Sequence, residues 1–318
     1  MPLAVQLAKQ MKAIRLHGSP GNAKLSLDEI PVPKTGSGEV LIRVHATAVT
    51  PGELEWYPTW HSQKHEPRLC AVPGHEFSGT VEAFAPNVKG LQKGDAVYGL
   101  NNWFFDGAAA EYCITTPAEI APKPTTIDHL QAAVVPISGL TAWQALFDRG
   151  GLQAGQKVLI HGGAGGVGTF AIQLAAWKGA LVSTTVSKPN IRLVRQLGAA
   201  EVINYQKTKF EEVAKDADLI LDFVGGDTLS RSFAAVKQGG RVVTIASSSE
   251  SNADPKVKAA FFIVEANQQQ LRELANLIDS GILRPVVSEV LPLEAAPEAY
   301  FPSRKTGPGK RALRVLTQ

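Results

Sequence analysis

KVLIHGGAGGVGTFAIQLAAWKG, residues 157–179, reads as an apolar strand that runs without a break into a glycine-rich turn and on into a helix. Gly163, Gly165 and Gly168 fit the spacing GxGxxG, in which each glycine has a physical task. Gly163 serves the tight turn, Gly165 lets backbone approach a pyrophosphate, and Gly168 lets the helix pack against the strand. A pyrophosphate on such a turn sits at the start of the helix, where unpaired N–H groups and the helix dipole favour an anion. Glycine-rich turns are common, so the motif alone is a weak signal. Here a strand precedes it, a helix follows it, and further strand–helix pairs continue through 181–186, 201–204, 219–223 and 241–245. That alternation builds a doubly wound parallel sheet of an α/β protein. The dinucleotide site at its head takes in Gly163, Ala164, Gly165, Gly166, Val167 and Gly168.

The end of the second strand bears on which dinucleotide is bound. An NAD site places a carboxylate there, about 20 residues after the glycines, to hold the ribose. Residues 183–188 read STTVSK and offer hydroxyls and a cation instead. Those groups suit the 2′-phosphate of NADPH. Ser187 and Lys188 are the main candidates, with Arg192 behind them and Tyr205 at the end of the third strand. The alternatives are a solvated loop lysine at 188 and a packing tyrosine at 205.

Upstream of this region the pattern is different. Short alternating or β-branched runs at 12–16, 40–49, 79–84 and 95–100, punctuated by Gly and Pro, make residues 1–125 a β-rich domain. Residues 126–265 are the nucleotide-binding domain. Residues 266–318 return to the first domain through a helix at 268–280, ended by Gly281, and strand-like runs at 285–290 and 312–316. With 318 residues and 44% hydrophobic content, two domains are expected. A net charge of +3 without a long run of one sign offers no footprint for nucleic acid or an anionic membrane. No stretch approaches the roughly 18 apolar residues of a membrane span, and residues 1–11 carry no secretory signal, so a cytoplasmic protein is expected. Two cysteines, Cys70 and Cys113, are too few for a disulfide framework or a four-thiolate zinc lobe. Both read as ordinary buried thiols.

The runs VPGHEFSGTV, KGDAVYGL, GAAAEYCIT, AAVVPISGLTAWQAL, VLIHGGAGGVGTFAIQLA, LGAAEVINY and LPLEAAPEAY together resemble the zinc-independent quinone oxidoreductase branch of the medium-chain dehydrogenase/reductase family, from Met11 onward. The resemblance implies a GroES-like catalytic domain beside a Rossmann domain, substrate in the cleft between them, and hydride transfer from NADPH to a quinone or an activated C=C bond. It also implies cofactor contacts at Thr141, in GLTAW, near the nicotinamide; at Ser247 and Ser248 near the ribose; at Val224; and along the main chain from Phe262 to Val264. A homodimer is compatible with it.

A catalytic zinc needs three protein ligands and an open fourth position. Compared with zinc-dependent relatives, His75 survives in Gly-His-Glu, but the first thiolate position falls in cysteine-free 46–50 and the second at Ser138. One imidazole and a protonated serine do not make a zinc site, so no metal is expected and His75 and Glu76 read as structural. Without zinc, hydrogen-bond donors must stabilise the developing oxyanion, and a proton must reach the neighbouring carbon. The family's Asn-Pro-x-Asp stretch corresponds to Thr50, Pro51, Gly52 and Glu53, which exchanges an amide donor for the Thr50 hydroxyl. Where some relatives carry lysine or tyrosine, this chain has Glu55. Glu55, Trp56, Tyr57 and Trp60 either line the substrate pocket, with Tyr57 as proton donor, or form a solvent-facing loop with aromatic anchors. Trp103, Phe104 and Phe105 form a second aromatic cluster, either a lid or core packing. The reading is an NADPH-dependent, zinc-free reductase of quinones or α,β-unsaturated carbonyl compounds. A zinc-type alcohol dehydrogenase and a non-catalytic NADPH-binding sensor or structural protein are the alternatives.

Overall fold

The computed structural model describes residues 9–50, 52–250, 252–303 and 306–316. Pro51 and the first eight residues of the N-terminal stretch read above lie outside them. Among the described residues the strands are β1 (Gln10–His17), β2 (Lys24–Pro31), β3 (Val40–Val49), β4 (Glu76–Phe84), β5 (Ala96–Leu100), β6 (Tyr112–Thr115), β7 (Ile120–Pro122), β8 (Lys157–His161), β9 (Leu181–Val186), β10 (Glu201–Asn204), β11 (Ala217–Asp222), β12 (Val236–Thr244), β13 (Val287–Pro292) and β14 (Lys310–Arg314). They fall into two compact units. One holds the chain up to Pro136, Ala266–Ala275 and the chain from Val287 onward; the other holds Ile137–Glu265 and Asn276–Val286.

The first unit is built on a sheet in the order β13-β14-β3-β4-β5-β7, with β6 also paired to β3. β3 is its central strand and is buried along nearly its whole length. Val40, Ile42 and Val44 pack with Phe77, Val81, Val97 and Ile120 on one side of the sheet. The β1–β2 hairpin is attached by a bridge from Ala13 to Ala110 and by the Leu16 N–H donating to the Ala71 carbonyl at 2.9 Å. Residues 126–136 pack with this unit rather than with the nucleotide-binding domain to which composition assigns them. The helix His129–Ala133 lies on β3, β4 and β14, and Leu130 and Val134 pack on Ala48 and Ala312.

The second unit is a parallel sheet in the order β10-β9-β8-β11-β12. The chain therefore winds outward in both directions from β8, and the strand order reverses beside it. In open sheets of this kind, ligands bind beyond the carboxyl ends of the strands at that reversal. The helix Gly166–Trp177 is buried on all sides from Gly168 to Ala175, as expected of a helix inside a layered α/β core. Residues 276–286 join this unit, with Gln173 and Arg284 exchanging two hydrogen bonds of 3.0 and 3.1 Å. The helix Gln268–Asp279 ends at Gly281, whose φ of 75° is the left-handed conformation that glycine adopts at no steric cost. No helix among the described residues is long and apolar enough to cross a membrane.

His161 ends β8 with its ring fully buried, Nδ1 3.0 Å from the Thr185 hydroxyl and the ring edge-on to Phe210. Burial, aided by the charge of Arg231, pushes its pKa down to about 4. In the unfolded chain the same ring titrates near the ordinary value of about 6.5. The unfolded state therefore binds the extra proton first as pH falls, and stability is lost between about pH 6.5 and 4. Thermal melts across that window are expected to show a falling midpoint, and His161→Gln to show a flatter slope. Equal slopes for both proteins would remove His161 from this account.

Candidate functional site

The loop after β8 is shaped by what its glycines touch. The left-handed turn residue is Gly162, with φ 78°, not Gly163 as the spacing suggests. Gly163 instead lies so close to β9 that a Cβ there would stand 2.0 Å from the Thr184 hydroxyl. Gly168 presses the first helical turn onto the loop, where a Cβ would meet the Gly162 carbonyl oxygen at 2.3 Å. Gly165 differs: its only neighbour is the Gly162 carbonyl oxygen, 3.3 Å from an added Cβ. Two glycines therefore fit the loop to the protein and the third leaves the N-terminus of the helix Gly166–Trp177 accessible. The first turn of that helix has N–H groups with no intrahelical acceptor, which is the chemistry of a phosphate cradle. Ala164, Gly166 and Val167 complete this loop.

Three segments surround the cradle. At the end of β9, Val186 stands opposite Asn204, and the Tyr205 N–H donates to the Val186 carbonyl at 3.4 Å. Tyr205 is thereby set beside Ser187, and Tyr205, Lys188 and Arg192 are all exposed. Neither cation has an ion-pair partner among the described residues. At the end of β11, buried Asp222 accepts from the N–H groups of Val224 and Gly225 at 3.2 and 2.9 Å and from the Thr244 hydroxyl at 3.3 Å. Burial raises its pKa and the three donors work against that rise. The effect is to hold Val224, itself exposed, over Gly162, where an added Cβ would be 3.4 Å from its Cγ2. Sequence reasoning missed Asp222, although an aspartate between an apolar strand and a Gly-Gly pair is a readable turn signal. Ser247 and Ser248 lie exposed on a short 3-10 turn after β12, with the Ser248 hydroxyl 3.2 Å from an added Cβ on Gly225.

Phe262 and Val264 turn their side chains into the core, and Ile263 between them points out. The Phe262 N–H donates to the Thr244 carbonyl at 3.2 Å, so the Phe262 and Val264 side chains are not offered to a ligand, while that of Ile263 is exposed. Thr141 is buried within the helix Pro136–Trp143, and its hydroxyl donates to the Ile137 carbonyl at 2.6 Å. Only its lone pairs remain to meet a ligand.

In the first unit Thr50, Glu55 and Tyr57 do not form one constellation. Thr50 donates to Glu76 at 3.4 Å. Glu55 is exposed and accepts the Gly21 N–H at 3.0 Å, tying down the β1–β2 turn. Tyr57 is half exposed, stacked on His61 at 4.2 Å, with its hydroxyl 2.8 Å from His65 Nδ1. Trp60 leaves the aromatic group altogether and packs in the core with Leu16 and Leu54. Trp56 meets Trp103 edge-on at 5.4 Å, and Trp103 is 5.5 Å from His75.

Behind these residues runs a buried polar network. Glu53 accepts from the Gly74 N–H at 2.9 Å and from the Tyr300 hydroxyl, and its other oxygen lies 3.5 Å from His75 Nδ1. Burial, reinforced by the charge of Glu53, holds the Tyr300 phenol well above its usual pKa, so it stays a donor. Glu76 pairs with the equally buried Lys310. His75 Nε2 is 3.3 Å from the Phe105 carbonyl, which places it among structural partners. Among the described residues no group of three or more His, Cys, Asp and Glu side chains is arranged to hold a metal. Cys113 is buried, whereas Cys70 departs from an ordinary buried thiol: it is only partly buried, with its sulfur 3.5 Å from His17 Nδ1.

The alcohol dehydrogenase GroES-like domain matches residues 36–125, and the zinc-binding dehydrogenase domain matches residues 197–304. A probable zinc-binding oxidoreductase, mitochondrial, of Arthroderma benhamiae is 34% identical over 90% of this chain and 91% of its own. The chain belongs to the medium-chain dehydrogenase/reductase family. Its GroES-like and Rossmann-like domains align with the quinone oxidoreductase of Coxiella burnetii at TM-score 0.86 and 31% identity, covering 97% of this chain and 100% of that one. A mycobacterial protein solved in complex with NADPH aligns at TM-score 0.80 and 27% identity, over 96% of this chain and all of its own. The family consists of oxidoreductases that bind a nicotinamide cofactor.

In this medium-chain dehydrogenase/reductase the loop glycines divide into two classes, and mutation separates them. Gly163→Ala forces a methyl group against Thr184 and is expected to cost about 1–3 kcal/mol of stability, as over-packing does, read as a lowered urea midpoint. Gly165→Ala should keep the midpoint and weaken dinucleotide binding. Two variants alike in both measurements would contradict the division.

Proposed function

We propose that this protein is an NADPH-dependent reductase of quinones or of the activated C=C bond of α,β-unsaturated carbonyl compounds, working without zinc. The observation that carries the proposal is the second unit's combination of an open glycine cradle with a carboxylate-free β9 end bearing Ser187, Lys188, Arg192 and Tyr205. Gly163, Ala164, Gly165, Gly166, Val167 and Gly168 hold the pyrophosphate on backbone N–H groups. Lys188 and Arg192 receive the 2′-phosphate, with Ser187 and Tyr205 supplying hydroxyls. Val224, Ser247 and Ser248 border the adenosine half, and Thr141 and the main chain of 262–264 border the nicotinamide. Bound there, NADPH supplies the hydride.

Zinc does not fit the donors present. His75 Nε2 faces the Phe105 carbonyl at 3.3 Å, Cys70 lies beside His17 instead, and among the described residues no three His, Cys, Asp or Glu side chains converge. In place of a Lewis acid, the Tyr57 hydroxyl, linked to His65, or solvent gives the proton to carbon; the Thr50 hydroxyl serves the substrate oxygen only by giving up its 3.4 Å bond to Glu76. The relatives named quinone oxidoreductase favour this substrate class.

NADPH oxidation with a panel of enones and quinones tests the proposal, after exhaustive chelation. Turnover is expected to survive chelation. Stoichiometric zinc whose removal abolishes turnover would move the protein to the alcohol dehydrogenases, and NADPH fluorescence quenching without turnover on any substrate would make it a binding protein. Losing a charge-assisted bond of roughly 1.5–3 kcal/mol, Lys188→Ala should weaken NADPH by about ten- to a hundredfold and leave NADH nearly unchanged. Equal losses for both cofactors would mean that the phosphate site is elsewhere.

A further inference from the structure

The turn end of the β1–β2 hairpin carries a cluster that the reductase reading does not use. In the antiparallel register His17 stands opposite Lys24, Arg15 opposite Ser26, and Ala13 opposite Asp28. His17, Ser26 and Asp28 therefore share one face of the hairpin. The loop that follows exposed Leu69 is pinned to β1 by the Leu16 N–H to Ala71 carbonyl bond, and this brings the Cys70 sulfur to 3.5 Å from His17 Nδ1. On the other side of the ring, Nε2 is 2.8 Å from the Ser26 hydroxyl and 3.9 Å from Asp28 Oδ2. Ser26 is in turn 2.9 Å from Asp28 Oδ1.

Donor counting gives these contacts a direction. Ser26 donates to the Asp28 carboxylate, so its oxygen accepts from His17 Nε2–H. That tautomer leaves Nδ1 with a lone pair facing the Cys70 thiol, which donates to it. A nucleophile, a base and an orienting acid thus stand in hydrogen-bonded sequence, the arrangement that activates a thiol. The other charged groups on this face are Arg15 and Lys24, which favour a thiolate and oppose an imidazolium; Asp28 does the reverse.

We infer that Cys70 is an activated thiol and a site of covalent modification by soft electrophiles of the α,β-unsaturated carbonyl class. His17 Nδ1 takes the thiol proton. The sulfur forms a C–S bond at the β-carbon, the C=C π pair moves to the α-carbon, and that carbon takes a proton back from the His17 imidazolium. Nothing is oxidised or reduced. The inference does not rest on NADPH binding or turnover, and its test is run without cofactor.

N-ethylmaleimide, an unsaturated imide, is the probe. The folded protein is labelled at pH 7, and each cysteine peptide is quantified by mass spectrometry. The Cys70 rate is expected to exceed that of a free cysteine peptide by about tenfold. Cys113, fully buried and with its thiol pushed up by burial, is the internal control and should stay unlabelled. His17→Gln should lower the Cys70 rate at pH 7 by about tenfold. A wild-type rate no faster than that of the free peptide overturns the inference without reference to any variant, and so does a rate that His17→Gln leaves unchanged in a folded protein.

Discussion

The absence of space for a methyl group at Gly163 and Gly168 is the constraint on which the cofactor half depends. Because these residues touch Thr184 and the Gly162 carbonyl directly, the loop after β8 has one position relative to β9, and the helix behind it one starting point. Close packing of this kind transmits shape with little slack. The N-terminus of the helix therefore stands beyond the carboxyl end of β8, at the reversal of strand order, with its first N–H groups turned to Gly165. Asp222 performs the equivalent task on the neighbouring strand by spending its carboxylate on the turn that carries Val224.

A different economy governs the first unit. Glu53, His75, Glu76 and Lys310 are removed from water together, with the partly buried Tyr300 against them, and isolated charges of that kind are costly to bury. Most of their polar atoms are met: Tyr300 donates to Glu53, Lys310 pairs with Glu76, and Thr50 leans on the same carboxylate, while Glu53 Oε2 and His75 Nδ1 face each other at 3.5 Å without a hydrogen bond. One of the two matching domain models is named for zinc binding, and the Gly-His-Glu motif, which lies in the other, here faces side-chain and backbone partners. The His75 imidazole lies 3.5 Å from Glu53 and 3.3 Å from the Phe105 carbonyl.

How far the sequence is legible follows from the range of the interactions. β3, β9 and β10 begin and end where the apolar runs 40–49, 181–186 and 201–204 do, because strand character is a local property. The dinucleotide loop was readable for the same reason, down to a shift of one residue in which glycine turns left-handed. β2 escaped because its faces are only partly buried and its hydrophobic contrast is low. The network in the first unit escaped because Glu53 and Tyr300 are 247 residues apart and no spacing rule joins them. The run at 53–60 shows how little proximity decides: Glu55, Tyr57 and Trp60 are neighbours in sequence, yet Glu55 ties down a turn, Trp60 packs in the core, and Tyr57 alone keeps an exposed hydroxyl, beside His65.

The central claim is that the chain's own residues, without a metal, bring a reduced nicotinamide to an electron-poor carbon. Incubation of the chelated protein with an enone and NADPH carrying deuterium at the transferable position, followed by mass and NMR analysis of the product, tests it most directly. The account predicts one deuterium at the β-carbon, a solvent-derived hydrogen at the α-carbon, and the same outcome without zinc. Deuterium lost to water, deuterium placed on the carbonyl carbon to give an allylic alcohol, or a reaction restored only by added zinc would contradict it.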